Sequence, residues 1–248
     1  MLRQFGLLLI AWMSLGHAAA ASLKACMPDY PSTPFSSPVE ETSGQRAVTL
    51  AVQRQGDSVQ FIAAPWARCL AGIRGGEYDL LVGAEPDEDL SSFVAFPQRA
   101  GKVDASRRLG VVEYILVQKT GSRVVWEARP LKDLVPVVVP RSIYAVSKRL
   151  ASLGVVFKSL NYNAERFAAL LCHDRAEFIV LRRSDLAVAI SGCPAEPAPH
   201  LQSFPLAATD VHLGVRRSLL QSRPELGEAL WRELARMRCS SEWPADLE

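Results

Sequence analysis

Hydrophobic positions along the first half of the chain follow two alternating periods, which is typical of an α/β protein. Short apolar runs predict strands, and segments with apolar residues at helical spacing predict helices. The predicted strands cover residues 23–27, 58–63 and 77–84, and the predicted helices cover 43–54 and a segment opened by Pro65. The last of these strands ends in small residues. Its carboxyl end therefore faces a crevice, where ligands of open α/β sheets usually bind.

The second half of the chain repeats this pattern. A continuous apolar run over residues 134–139 predicts a buried parallel strand, and a helix follows it. Asn163 is a candidate N-cap for the next helix, which leads into a predicted strand over residues 176–181. Ser222 and Glu225 form a candidate capping box before a long amphipathic final helix. We expect this helix to pack on one lobe as a closing element.

The N-terminus has the order of a secretory signal. Arg3 precedes an apolar run over residues 5–15, and alanines follow at 18–21. The apolar run is too short for the roughly 20 residues of a membrane-spanning helix. We therefore predict a signal peptide over residues 1–21 and localisation in the periplasm. Lipid attachment to Cys26 is the alternative.

Length and charge exclude several classes of protein. Roughly 227 residues remain after the predicted signal peptide, which fits one large domain or two lobes. The chain has 28 basic and 26 acidic residues, and the basic residues are scattered. Nucleic acids and anionic membranes require a clustered basic face, so we expect neither as a partner.

The five cysteines point to disulfides, because an exported chain meets an oxidising environment. The favoured pairs are Cys26 with Cys69, and Cys172 with Cys193. Cys239 is then the odd thiol, although it could compete for either pair. The sequence alone does not settle the connectivity.

Several short motifs resemble those of a known family. The motifs are LKAC at 23–26, PF at 34–35, PWARCL at 65–70, GEYD at 76–79, FP at 96–97 and RRL at 107–109. Together they resemble the type II periplasmic solute-binding proteins, and in particular the family-3 extracellular solute-binding group of amino acid ABC transporters. The resemblance covers nearly the whole chain after the predicted signal peptide.

The resemblance implies a two-lobed α/β fold with a central cleft and two crossover strands. The first lobe would comprise residues 22–119 and 206–248, and the second lobe residues 120–205. The crossover strands would run over 111–119 and 204–215. A ligand in the cleft would close the lobes by hinge bending.

The sequence departs from this family where the ligand would bind. Amino acid binders of the group usually carry an arginine after the strand that ends here at Gly83-Ala84, whereas this chain has the acidic segment EPDED at 85–89. The family's F-S-x-P-Y segment is replaced by FPQ at 96–98. An acidic segment that faces the cleft would favour a cationic or polyhydroxylated solute.

In the first lobe, the candidate ligand contacts lie in a loop and a helix. Asp29, Tyr30 and Phe35 follow the first strand, where the resemblance implies a roof over the cleft; packing within the loop is the alternative. Trp66 could contact the ligand or bury its ring in the lobe. Arg68 could replace the missing anion-binding arginine or lie exposed on its helix.

The other candidate contacts follow strand ends. Glu85 and Asp87 either face the cleft or serve as acids at the N-terminus of a helix. Arg141 and Ser142 lie where a helix start would offer free backbone donors to an anion. Arg182 follows the next predicted strand and is a weaker candidate.

We expect a monomer that binds a small polar solute without a cofactor or a metal, and an inner-membrane ABC permease as its partner. His173, His200 and His212 are far apart in sequence, which favours surface or capping roles over a metal site. A sensing module without transport is one alternative.

Enzymes on the same fold, dehydratase-like or peptidoglycan-active, are the other alternative. Such an enzyme needs a positioned acid or base, and Glu85, Asp87 and Asp185 are the carboxylates at hand. The sequence contains no serine nucleophile motif of the G-x-S-x-G type. We therefore predict that the protein is not an enzyme.

Overall fold

A computed structural model describes residues 21–122, 126, 137–141, 143–161, 163–191 and 200–247. Three sequence predictions concern residues outside these ranges. They are the signal peptide, of which only Ala21 is described, the second disulfide partner Cys193, and the candidate ligand contact Ser142.

Strands and helices alternate along the chain, as the hydrophobic pattern predicts. The strands are β1 (Ser22–Pro28), β2 (Ser58–Ala64), β3 (Leu80–Ala84), β4 (Val94–Ala95), β5 (Gln98–Arg99), β6 (Lys102–Val103), β7 (Gly110–Lys119), β8 (Val137–Pro140), β9 (Phe157–Leu160), β10 (Ile179–Arg182) and β11 (Leu201–Arg216). The helices are α1 (Ser43–Gln53), α2 (Trp66–Gly75), α3 (Glu88–Ser91), α4 (Tyr144–Ser152), α5 (Ala164–Cys172), α6 (Leu186–Ser191), α7 (Leu219–Ser222) and α8 (Leu226–Arg238).

The strands form two lobes that share a continuous hydrogen-bonded path in the order β2-β1-β3-β11-β7-β10-β8-β9. In the first lobe, β1 pairs in parallel with β2 and β3, and β4 pairs with β11. In the second lobe, β8 pairs in parallel with β9 and β10. Helices α1, α2, α3, α7 and α8 accompany the first lobe, and α4, α5 and α6 the second.

The long strands β7 and β11 cross between the lobes. They pair antiparallel from Leu201 opposite Lys119 to Val211 opposite Gly110. The register shifts just after Pro205. Proline has no N–H to donate to a regular ladder, and an irregularity of this kind accommodates it. This pair confirms the two predicted crossover strands.

Helix α8 closes the first lobe, as its pattern predicts. Its buried face includes Leu230 and Leu234, and the indole of Trp231 donates a hydrogen bond of 2.8 Å to the carbonyl of Leu213 on β11. A ring that is both packed and hydrogen-bonded fixes the orientation of the helix.

The predicted capping box of this helix is wrong. Ser222 ends the separate one-turn helix α7, and its hydroxyl donates to the carbonyl of Leu219. Glu225 occupies the N-cap position without a side-chain cap. The break comes at Arg223, because the residue before a proline is pushed out of the helical region.

A disulfide joins Cys26 on β1 to Cys69 on α2, with the Cα atoms 5.6 Å apart. This bond confirms the first predicted pair and leaves no thiol on Cys26 for the alternative lipid attachment. Cys172 is also disulfide-bonded, and its predicted partner Cys193 lies outside the described residues. Cys239 is a free, exposed thiol.

His212 contradicts the predicted surface or capping role. It lies on β11 with 1% of its surface exposed, in edge-to-face contact with Phe96 at a centroid distance of 6.2 Å. The ring is buried because this end of β11 runs through the centre of the first lobe, and burial lowers the pKa of His212. His173 and His200 are exposed.

Candidate solute-binding cleft

A cavity of about 950 Å³ lies between the two lobes. Its wall in the first lobe is formed by the loop after β1, the inner face of α2 and the segment after β3. Its wall in the second lobe is formed by the ends of β8 and β10 and the start of α4. The volume suits a small molecule, and its position at strand ends is that expected for ligands of α/β folds.

Seven of the sequence-predicted contact residues lie on the cavity wall: Asp29, Tyr30, Trp66, Glu85, Asp87, Arg141 and Arg182. They come from segments that are distant in sequence. Two further candidates, Phe35 and Arg68, do not lie on the wall.

Phe35 belongs to the hydrophobic core and not to the roof of the cleft. Only 5% of its surface is exposed. Its ring approaches Gly110 so closely that a Cβ on that glycine would lie 2.5 Å from Cε1 of the ring. Phe35 therefore packs into the core of the first lobe, beyond the loop that the stated alternative assigned to it.

Arg68 is exposed on α2, outside the cavity. The residues of α2 that line the cavity recur every three or four positions and so share one helix face: Trp66, Ala67, Leu70, Ala71 and Arg74. Arg68 follows Ala67 by one position and lies outside this face. Arg74 is the arginine that α2 brings to the cavity, and its guanidinium lies 4.3 Å from the centre of the Phe93 ring.

Glu85 enters the cavity wall directly after β3. The backbone at Gly83 has a φ of 71°, a conformation that favours glycine and turns the chain before the carboxylate. The hydroxyl of Tyr114 donates a hydrogen bond of 2.5 Å to Oε1 of Glu85. The second oxygen, Oε2, is buried and has no hydrogen-bond donor within the described part of the chain.

Burial dominates the ionisation of this pair. It raises the pKa of Glu85, while the Tyr114 hydrogen bond and the Arg182 charge act against that increase. Burial, with the neighbouring carboxylate, also raises the pKa of Tyr114 well above its ordinary value. Glu85 is therefore a carboxylate whose ionisation is costly unless a cation or a hydrogen-bond donor reaches it.

Asp87 fulfils both roles that the sequence allows. Its side chain caps α3 by accepting a hydrogen bond of 2.7 Å from the backbone N–H of Leu90. It also lies on the cavity wall. Asp89, in the first turn of α3, lines the cavity as well.

Arg182 joins the two lobes across the cavity. It ends β10 in the second lobe, and its guanidinium donates hydrogen bonds to the hydroxyls of Ser32 at 2.8 Å and Tyr30 at 3.2 Å, both in the first lobe. The guanidinium carbon also lies 5.3 Å from the centre of the Tyr30 ring. Arg182, a weaker candidate in the sequence, thus connects the lobes by side-chain hydrogen bonds.

Arg141 reaches the cavity by its side chain and not by its backbone. The backbone N–H of Arg141 is not free, because it donates to the carbonyl of Leu160 at 2.7 Å, and α4 begins at Tyr144. Its exposed guanidinium lines the cavity. Among the described residues, no side chain forms an ion pair or hydrogen bond with it.

Sequence reasoning missed several wall residues. Tyr114 lies on a strand that the pattern predicts, but only the fold reveals which of its side chains face the cavity. Ser32 gave no signal beyond its place in the proline-rich loop. Asn161 and Ser147 in the second lobe also line the wall and carry no motif.

Comparison with known proteins identifies the fold. No family model matches the chain, and no curated protein matches it. Solved structures do. A mutant of ArgBP from T. maritima has a TM-score of 0.64 at 16% identity, covering 90% of this chain and 91% of that one. The amino acid ABC transporter substrate-binding protein AbpA from Streptococcus pneumoniae, bound to L-arginine, has a TM-score of 0.63 at 15% identity, covering 91% and 92%.

The fold is that of a type II periplasmic solute-binding protein. A further similar structure is the ancestral amino acid-binding protein AncCDT-1, a precursor of cyclohexadienyl dehydratase, with a TM-score of 0.61 at 16% identity, covering 90% and 91%. The cavity of this chain lies in the cleft between the two lobes of that fold. No helix in the described ranges has the length and apolarity to cross a membrane.

Proposed function

We propose that this protein is a periplasmic solute-binding protein that captures a small polar solute between its lobes for an ABC-type transporter. The observation that carries the proposal is the cleft itself. Both lobes contribute charged side chains to one cavity of about 950 Å³, including Glu85 from the first lobe and Arg141 from the second. One of these groups, Oε2 of Glu85, is buried without a donor in the described chain, which is costly unless a polar ligand supplies one.

The similar structures support a transport role. They include amino acid-binding proteins, and two of them are substrate-binding proteins of amino acid ABC transporters. We extend that role to this chain and propose that it is a monomer with a signal peptide over residues 1–21. The first lobe would comprise residues 22–119 and 206–248, and the second lobe residues 120–205. An inner-membrane permease would be the partner.

The chemistry of the cleft supports a polar solute. Ionisable and hydroxyl side chains line it on both sides, while Trp66, Phe93 and Tyr30 offer ring faces on which an apolar part of the solute can pack. This mixture of a few polar groups with aromatic walls is typical of small-molecule sites.

A thermal-shift screen tests the proposal. The panel contains amino acids, polyamines, sugars and organic acids. A solute that binds only the folded chain raises the melting temperature with its concentration, by an amount set by its affinity. We expect one chemical class to raise it. Failure of every class would refute the proposal.

Catalysis is a second candidate, favoured by one observation. Burial raises the pKa of Glu85, as it does for carboxyl groups that act as general acids. Incubation of the best solute with the protein, followed by mass spectrometry, separates the two functions. A binding protein returns the solute unchanged, whereas an enzyme converts it.

A further inference from the structure

A buried histidine lies where the crossover strand β11 enters the sheet of the first lobe. The antiparallel pairing of β11 with β7 ends at Val211 opposite Gly110. The next residue, His212, pairs with Ala84 of β3. The register with β3 shifts between His212 and Gly214, and an irregularity of this kind bends the strand that carries it. His212 therefore marks the junction between the crossover and the end of β3.

The two nitrogens of the His212 ring have unequal surroundings. Nε2 lies 3.4 Å from the backbone carbonyl oxygen of Asp104, which can only accept a hydrogen bond. The neutral ring therefore carries its proton on Nε2 and donates it to this oxygen. Nδ1 is buried and has no hydrogen-bond partner within the described chain. The neighbouring ring of Phe96 and the β3 partner Ala84 bring no charge to it.

The charged groups that face this ring are Asp104, Asp210 and Arg108. Both carboxylates are already paired with arginines. Asp104 pairs with Arg99 at 3.1 Å and with Arg107 at 3.4 Å. Asp210 pairs with Arg108 at 3.4 Å. A proton on Nδ1 would therefore find no unpaired carboxylate among these groups.

A second proton on the ring would destabilise the junction. It turns Nδ1 into a donor on a cation, and a buried charged donor without an acceptor costs more than a neutral group. Burial is the largest influence on the pKa of His212 and lowers it, although the hydrogen bond to Asp104 and the charge of Asp210 act against that decrease. The ring can hold the extra proton at little cost only after it leaves its site.

We propose that His212 is an acid-sensitive lock between β11, the end of β3 and the segment over residues 96–108. Its neutral ring holds the carbonyl of Asp104 and keeps the three elements together. Uptake of one proton from the solvent at Nδ1 releases the ring, and the segment and the end of β3 then separate more readily from β11. Because Ala84 directly precedes Glu85 on the cavity wall, acid loosens the first-lobe wall of the cleft as well.

Thermal and chemical unfolding at several pH values tests the lock. His212→Gln keeps a side-chain N–H for the carbonyl of Asp104 but takes up no proton near neutral pH. Because the folded state lowers the pKa of His212, the stability that the neutral ring contributes is present above the ordinary value of about 6.5 and is lost as the pH falls through the folded value. The folding equilibrium constant of the wild type should therefore fall relative to that of the variant, by up to about tenfold per pH unit, since one proton is involved.

Val211→Ala is the matched control. It removes buried apolar atoms from the preceding position of the same strand and leaves the titrating ring in place. We expect this variant to be less stable at every pH and to keep the acid loss of the wild type. A His212→Gln variant that loses stability in acid as steeply as the wild type would overturn the lock.

Hydrogen exchange locates the effect in the chain. Between about pH 7.5 and about pH 5, the amides over residues 82–85 and 103–109 of the wild type should lose about tenfold or more in protection factor, whereas those of His212→Gln should not. A loss of protection spread evenly over both lobes would contradict a local lock.

A measurement on the wild type decides the matter even if His212→Gln does not fold. The NMR signal of the His212 ring should titrate at a lower pH in the folded chain than in the chain unfolded by urea. Titration at the same or a higher pH in the folded chain would overturn the lock. None of these experiments uses a solute, so their outcome is separate from that of the proposed function.

Discussion

Arg182 of the second lobe donates a hydrogen bond of 2.8 Å to the hydroxyl of Ser32 in the first lobe. The same guanidinium reaches the hydroxyl of Tyr30. These contacts link the two lobes directly through side chains of the protein. A solute would add its own bridges beside this link.

Arg182→Ala should open the solute-free protein. A hydrogen bond to a charged group contributes about 1.5–3 kcal/mol, and the loss of two should shift the balance towards open forms at least about fivefold. We expect a larger radius of gyration by small-angle X-ray scattering. Arg183→Ala is the control, because this neighbour is exposed and pairs with Glu113 on the adjacent strand. Equal radii for both variants would show that the contacts do not hold the lobes.

Glu85→Gln should make the protein less sensitive to pH. Because the folded state raises the pKa of Glu85, this carboxyl binds its proton more tightly in the folded than in the unfolded chain. Its contribution to stability is present below the ordinary value of about 4.5 and is lost as the pH rises through the folded value. The variant should therefore gain melting temperature relative to the wild type between pH 4 and pH 7. A constant difference over that range would contradict the raised pKa.

Replacement of both Cys26 and Cys69 by serine should destabilise the first lobe. The bond closes a segment with a sequence separation of 43, for which chain entropy gives about 4 kcal/mol. This corresponds to a fall of about 10 °C in melting temperature. Cys239→Ser, at the free exposed thiol, should change it little. Peptide mapping that finds Cys26 and Cys69 unlinked would refute the pairing.

Phe35→Ala should cost stability and not change the choice of solute. The ring is buried beside Gly110, and truncation of a buried phenylalanine costs about 3–5 kcal/mol. Chemical denaturation measures the loss, and Val39→Ala, which changes a highly exposed residue nearby, is the control. A change in which solute binds tightest would instead return Phe35 to the cleft.

The sequence predicts the architecture well because the architecture depends on hydrophobic periodicity. The apolar run that contains β8 and the spacing of Leu230 and Leu234 are direct signals of burial, whereas the β7–β11 crossover was expected from the family resemblance. The capping box fails because Arg223 precedes a proline, and this local backbone effect outweighs the match of Ser222 and Glu225 to the motif.

The site is predicted less completely, because the sequence gives the position of each residue and not the direction in which its side chain points. Arg68 and Arg74 lie on the same helix, and only the packing of α2 decides which one reaches the cavity. Phe35 and Tyr30 lie in one loop, yet one ring is buried in the core and the other lines the cleft. The hydrogen bond to Oε1 of Glu85 comes from Tyr114, which is more than twenty residues away in the sequence.

The central claim is that one solute occupies the cleft between the lobes, and a variant that fills the cleft tests it most directly. Ala71→Trp places a large ring on the cavity face of α2, and Arg68→Trp places the same ring on the exposed face of the same helix. Calorimetric titration with the solute that most raises the melting temperature should give one molecule per chain for the wild type and for Arg68→Trp. Ala71→Trp should bind it at least about tenfold more weakly, and unchanged binding by Ala71→Trp would contradict the account.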